Sequence, residues 1–272
     1  MKILIAADME GISGVVVWDQ VNPNHNEYNR FRQIMTSEVN AAVRGAFKGG
    51  ADEVIVSDGH DNACNIMIEN LDPRAKLNSG SPAPLAMVKG VDQDVDGLIF
   101  VGYHACAGTR NAILAHTWSG SLANVWLNDQ LVGEIGLNAA VAGSFGVPLL
   151  LITGDQSACK EAEALIPGVE KVEVKQAAGR MTAECLPLEA AHQKIEKAAE
   201  NAVKNLKIGN SANPFNLNTP ITLVIEFFKA NMADRAAIIP GAIRIDGRKI
   251  SYQAPDALSM YQIFQAFVGL AK

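Results

Sequence analysis

Ile3-Leu4-Ile5-Ala6-Ala7-Asp8-Met9-Glu10-Gly11 decides how this chain is read. The apolar run Ile3 to Ala7 has the length and character of a strand buried on both faces, as in a parallel sheet. It ends in Asp8, Met9 and Glu10. Residues two apart on an extended chain point the same way, so Asp8 and Glu10 aim at one spot. That spot lies beyond the carboxyl end of the strand, where open α/β sheets gather their ligands. Two carboxylates so close repel each other unless a positive group lies between them, and a divalent metal is the usual one. A plainer reading stays open at this point, in which Asp8 caps a turn through Gly11 and Gly14.

Outward from this strand, the chain alternates strand and helix, the pattern of a layered α/β fold. An amphipathic stretch from Glu27 to Lys48 predicts a helix ended by Gly49-Gly50. Glu53 to Ser57 predicts a second strand, running into Asp58-Gly59-His60. Gly97 to Gly102 predicts a third, running into Tyr103-His104. Val125-Trp126-Leu127 and Gln130-Leu131-Val132, joined by Asn128-Asp129, form a β-hairpin pattern leading to Gly133-Glu134. A small-residue helix (135–144) follows, then a strand from Pro148 to Thr153 with Asp155 capping the next helix. Val172 to Lys175 is a short strand, Glu189 to Leu206 a charged helix, and 209–220 a linker. Ile221 to Phe227 and Ile250 to Gln253 are further strands, and Asp256 to Leu270 a closing helix. The expectation is an α/β Rossmann-like sheet with helices on both faces plus a smaller α+β part. The expected division is residues 1–180 for an α/β metal-binding catalytic domain and 181–272 for the smaller region.

Composition narrows the function. The 272 residues are 49% hydrophobic, enough for a full core. A net charge of -6 with a pI near 5.4, and no basic block, argues against nucleic acid as partner. Cys64, Cys106, Cys159 and Cys185 are widely spaced without a C-x-x-C, which suits reduced thiols rather than a disulfide frame. No stretch has the length of a signal core or a bilayer span, so a cytoplasmic protein without membrane contact is expected.

Histidines sharpen the site. His60 and His104 each follow a strand at its carboxyl end, on the rim that carries Asp8 and Glu10. Two carboxylates and two imidazoles make a mixed nitrogen and oxygen donor set suited to zinc, cobalt, manganese or nickel, whereas a magnesium site needs no histidine. Singly, each histidine is as well read as a hydrogen-bonded structural residue; beside an Asp-x-Glu pair they read as a metal site. His116, in Ala115-His116-Thr117-Trp118, is within reach of the same rim. Glu134 opens a helix, where a carboxylate suits the positive helix end with or without a metal. His25 and His192 are expected to be solvated. Asp58 is read either as orienting an imidazole or as forming a turn. A Cys64–His60 nucleophile pair is conceivable but explains His60 less well than ligation does.

These residues lie in ordered motifs: Asp8-Met9-Glu10-Gly11-Ile12-Ser13-Gly14, Ser57-Asp58-Gly59-His60, Gly102-Tyr103-His104-Ala105 and Val132-Gly133-Glu134-Ile135-Gly136-Leu137-Asn138-Ala139. With Val147-Pro148-Leu149-Leu150, Gly154-Asp155 and Lys160 to Pro167, the chain resembles the DppA-type D-aminopeptidases, peptidase family M55, over nearly its whole length. The resemblance implies a zinc-dependent aminopeptidase that removes the N-terminal residue of short peptides, D-Ala-D-Ala among them, by metal-activated water. It implies two zinc ions per chain, with Asp8 bridging, Glu10 and His60 at one ion, and His104 and Glu134 at the other. His116 matches the family's catalytic histidine, its role as base, acid or nucleophile left open. A homo-oligomer, a decameric ring, is also implied. Two other readings compete. A haloacid-dehalogenase-type phosphatase would use Asp8 as nucleophile, with Gly154-Asp155 as its later acidic motif, but has no use for three histidines. A non-catalytic, metal-containing peptide-binding protein would keep the metals for structure alone.

Overall fold

The computed structural model describes residues 1–271. The opening run forms β1 (Lys2–Ala7), in which every residue after Lys2 is buried. Helix α1 (Tyr28–Gly49) follows and ends where Gly50 takes the left-handed conformation (φ 104°) that terminates helices without a Cβ penalty. Then come β2 (Glu53–Asp58), β3 (Ala75–Asn78) and β4 (Gly97–Tyr103). The hairpin is β5 (Leu122–Leu127) and β6 (Gln130–Leu131), and Asn128 and Asp129 at its tip both have positive φ (48° and 66°). Such dihedrals are what a two-residue hairpin turn requires, and Asn and Asp tolerate them.

The second half continues with α2 (Glu134–Ser144), β7 (Leu149–Asp155), α3 (Gln156–Leu165), β8 (Glu170–Ala177), β9 (Ala183–Cys185) and α4 (Leu188–Lys207). It ends with β10 (Ile221–Phe227), α5 (Ala230–Ala236), β11 (Ile243–Arg244), β12 (Lys249–Ala254) and α6 (Ala257–Leu270). The short elements β3, β9, α5 and β11 left no periodic signal in the sequence. Asp155 caps α3 as expected, its side chain accepting from the amides of Ser157 and Ala158.

Seven strands form one sheet in the order β3-β2-β1-β4-β7-β8-β9, parallel except for β9. Successive β1 side chains serve opposite cores. Ile3, Ile5 and Ala7 pack with α1 and α4, while Leu4 and Ala6 face α2, α6 and a second sheet. That second sheet is antiparallel, in the order β11-β12-β10-β5-β6. The strands do not respect a division at 180/181. Hairpin β5-β6 from the first segment completes the second sheet, and β9 and α4 from the second segment pack on the first sheet. The linker at 209–220 separates α4 from β10, and strand pairing across it joins the two parts. Among the described residues no helix is long and apolar enough to cross a membrane.

Strand order reverses between β1 and β4, since β2 and β3 lie on one side of the pair and β7 and β8 on the other. Carboxyl ends at such a switch point splay apart and leave a crevice for ligands.

Candidate metal centre

Backbone contacts put the first carboxylates beside His104. The Asp8 amide donates to Val101 and the Gly11 amide to Gly102, binding the turn after β1 to the end of β4. The approach is so close that a Cβ on Gly102 would lie 2.3 Å from the Asp8 carbonyl oxygen, and φ there is 73°. Only glycine permits both the dihedral and the contact.

The expected residues converge. His104 Nε2 is 3.3 Å from Asp8 Oδ2 and 3.3 Å from Glu134 Oε1. His60 Nδ1 is 3.1 Å from Glu10 Oε2 and 3.5 Å from Asp8 Oδ1. Candidate donor atoms of Asp8, Glu10 and His104 lie within 4.8 Å of one another, and so do those of His104, His116 and Glu134. All but His116 are buried.

Each imidazole is held by its other nitrogen. His60 Nε2 donates to the Val21 carbonyl (2.8 Å), and His104 Nδ1 to the Ala105 carbonyl (3.0 Å). Donation to a carbonyl fixes the tautomer, leaving His60 Nδ1 and His104 Nε2 turned to the carboxylates and able to ligate a metal. The cluster fits a metal by its own chemistry: Asp8 Oδ2, Glu10 Oε2 and His104 Nε2 are buried without a hydrogen-bond partner. Buried polar atoms are usually hydrogen-bonded, and three unpartnered atoms gathered at one place suit a bound cation.

The charges agree. Burial and the nearby Glu10 carboxylate push Asp8 up to about 7. Against the opposing effect of burial, the carboxylates hold the His60 and His104 imidazoles well above their usual range. A metal-free cluster thus keeps protons on its imidazoles to balance the carboxylates, and a bound dication displaces them.

His116 stands apart. Its ring stacks on His104 at 4.1 Å between centroids, and its Nε2 is 3.9 Å from Glu134 Oε1. Its Nδ1 donates to Leu114 (2.9 Å), and Trp18 meets the ring edge-on. Burial, then the neighbouring His104, lowers its pKa, so the ring is neutral at pH 7 with Nε2 free to take a proton. Leu114 and Trp118, both at positive φ (49° and 63°), bracket it. Such backbone strain collects at functional sites.

The cluster floors a cavity of about 650 Å³. Asp8, Glu10, Asp58, Asp61 and Glu134 are among its lining residues, with His60, His104 and His116, and among the described residues no lysine or arginine is. Pro82, Ala83, Ala86 and Met87 form an apolar wall. A wider groove of about 790 Å³ between β8, β9 and α4 carries mixed charges and no histidine.

Other expectations resolve in detail. Asp58 accepts from the amides of Asn65 and Ile66 and from Asn65 Nδ2, so it shapes the loop after His60 rather than orienting the imidazole directly. Cys64 is exposed beside Ser79 and forms no pair with His60. His25 is open to solvent near Asp19, but His192 is half-buried, a correction to the solvated reading. Asp155 spends both oxygens on backbone amides, including that of Ile113, and is withdrawn from any phosphatase role. Sequence reasoning missed three supports, the buried Glu38 and Lys175 and the half-buried Glu161. The Glu161 carboxylate accepts from the amides of Cys106 (2.8 Å) and Gly133 (3.3 Å), tying together the segments that carry His104 and Glu134. Nothing in its sequence context distinguishes it from a surface helix residue.

Comparison with known proteins agrees with this geometry. The family model for the M55 peptidases, D-aminopeptidase, matches residues 1–266. This chain belongs to the M55 D-aminopeptidase family. A D-aminopeptidase of Bacillus subtilis (strain 168) is 39% identical over 273 residues, spanning 100% of this chain and 98% of the relative. The solved Zn-dependent D-aminopeptidase DppA from Bacillus subtilis, a self-compartmentalizing protease, superposes with a TM-score of 0.96 at 37% identity. That match covers 100% of this chain and 98% of the other.

Proposed function

We propose that this M55 member is a zinc-dependent D-aminopeptidase that hydrolyses the N-terminal residue of short peptides, D-Ala-D-Ala among them. The observation that carries the reading is the convergence of Asp8, Glu10, His60, His104 and Glu134, with unpartnered atoms on Asp8, Glu10 and His104. In this reading the chain holds two zinc ions. Asp8, which reaches toward both imidazoles, would be shared between the two ions, Glu10 and His60 would hold one ion, and His104 and Glu134 the other. Bound zinc supplies Lewis acidity, polarising a carbonyl and lowering the pKa of water.

The chain's own residues account for the rest. His116, neutral and reaching the cavity with Nε2, takes a proton from the attacking water and returns it to the leaving amine. Carboxylates around the cavity favour a cationic α-amine. Among the described residues no lysine or arginine lines it to hold a free C-terminal carboxylate, which supports an amino-end enzyme over a carboxypeptidase. The wall of Pro82, Ala83, Ala86 and Met87 suits a small apolar side chain such as that of alanine.

Assembly into a homo-oligomer, a decameric ring, completes the proposal. It is supported by the self-compartmentalizing relative and by the exposed apolar side chains of Phe228, Ile238, Ile243 and Ile245, grouped within eighteen residues of sequence. Exposed apolar groups in such number mark contact surfaces.

The test is hydrolysis of paired D-alanyl and L-alanyl dipeptides by metal-stripped protein reloaded with zinc, following free alanine. Cleavage of the D-peptides alone is expected. Cleavage of L-peptides alone would discard the stereochemistry. Zinc-loaded protein that binds both but cleaves neither would leave a peptide-binding protein.

A further inference from the structure

Lys175 is a fully buried lysine on β8 with no role in the chemistry just described. Its Nζ donates to three backbone carbonyls, those of Glu10 (2.6 Å), Ile12 (2.8 Å) and Val15 (2.7 Å). All three belong to the turn after β1, the segment that presents Glu10 to the metal centre. An ammonium has three donors, and here each has its own carbonyl. Among the described residues Lys175 makes no ion pair.

A local irregularity brings it inside. The pairing of β7 with β8 runs Gly154 to Glu173 and then Asp155 to Lys175, so Val174 is an extra residue. The alternation of β8 breaks there, and both Val174 and Lys175 are buried. Bulges of this kind re-aim a side chain and occur beside active sites. On the other side of the turn, the buried Glu38 carboxylate accepts from the Ser13 amide (2.8 Å). Burying a lysine is costly, and an apolar plug would serve a core better. What an apolar side chain lacks is the means to gather three carbonyls about one point.

We infer that Lys175 is a positioning residue for the metal centre: it curls the Glu10–Val15 turn around its ammonium and so sets the Glu10 carboxylate. The inference rests on the reading of Glu10 as a zinc ligand. Groups that orient ligands are worth 10- to 100-fold in metal affinity.

The test uses the full-length protein. Zinc affinity is measured by chelator competition, and ligand geometry by the visible spectrum of the cobalt-substituted protein. Lys175→Met, shown folded by circular dichroism and a cooperative melt, is expected to bind zinc at least about 10-fold more weakly, with an altered cobalt spectrum. Lys175→Arg keeps a buried cation but is planar, so it also shifts the spectrum and decides the matter if the methionine variant fails to fold. Native affinity and spectrum in either folded variant overturn the inference, since a residue that only supports the fold would leave both unchanged. Glu10→Gln is run in parallel. Weak zinc binding in Glu10→Gln with native binding in the Lys175 variants rejects the positioning role alone. Native zinc binding in Glu10→Gln rejects Glu10 as a ligand, and the role of Lys175 falls with it.

Discussion

His104 Nε2 lies 3.3 Å from Asp8 Oδ2, and neither atom has a hydrogen-bond partner although both are buried. The two residues end adjacent parallel strands, and the contact exists because the sheet reverses its order between them. Replacing His104 with Ala removes an imidazole donor and leaves Asp8 and Glu134 facing each other as like charges. Bound zinc is expected to fall, measured by plasma mass spectrometry, and peptide hydrolysis to be abolished. Full zinc with full activity would refute the ligand role.

His116 separates binding from chemistry. Its ring stacks on His104 without being buried in the carboxylate cluster. His116→Ala is therefore expected to keep its zinc while kcat drops by about 10²- to 10⁴-fold, the range for a lost proton-transfer group. Zinc lost in parallel with activity would make His116 a ligand instead.

Glu161 predicts a coupled effect from a residue outside the cavity lining. Gln in its place puts an amide N–H against one of the two backbone N–H donors, of Cys106 or Gly133. A cost of about 1–3 kcal/mol in denaturant unfolding is expected. Zinc affinity should fall about 10-fold, because those amides adjoin the segments of His104 and Glu134.

Glu38 predicts a pH dependence. Burial pushes its carboxyl from the ordinary 4.5 up to about 7, the Ser13 amide and Lys175 opposing. With the folded pKa above the unfolded one, its protonation stabilises the fold fully below about pH 4.5, and that stability is lost as pH rises through about 7. The whole span is at most about 3 kcal/mol. In metal-stripped protein, Glu38→Gln should gain stability over wild type at pH 8 and not at pH 4. A difference that does not change with pH would reject the buried titration.

Gly102 tests the close approach itself. Ala there combines a positive φ with a Cβ 2.3 Å from the Asp8 carbonyl oxygen. Strain and overpacking together are expected to destabilise by about 3 kcal/mol, read as a lower denaturant midpoint, and to weaken zinc by displacing Asp8.

Much of this site was legible because parallel strands impose order. Buried apolar runs announce β1, β2, β4 and β7, and a shared direction puts their carboxyl ends on one rim, so Asp8, Glu10, His60 and His104 could be grouped without coordinates. Glu134 and His116 were less visible from position alone. Glu134 follows a hairpin rather than a parallel strand and His116 an irregular segment, and the family resemblance gave them their roles at the rim. The pairing of β5 with β10, nearly a hundred residues on, left no local signal in the sequence.

Composition, strand periodicity and short motifs determined the α/β class, the rim of donors and the M55 resemblance, since all three depend on near neighbours along the chain. Tertiary structure alone decided which nitrogen of each histidine turns to the carboxylates. It also decided that Asp58 and Asp155 shape loops, and that Lys175 and Glu38 grip one turn from opposite sides. Those outcomes depend on which carbonyls and amides long-range packing leaves unpaired, because a buried polar group takes whatever partner the fold brings within reach.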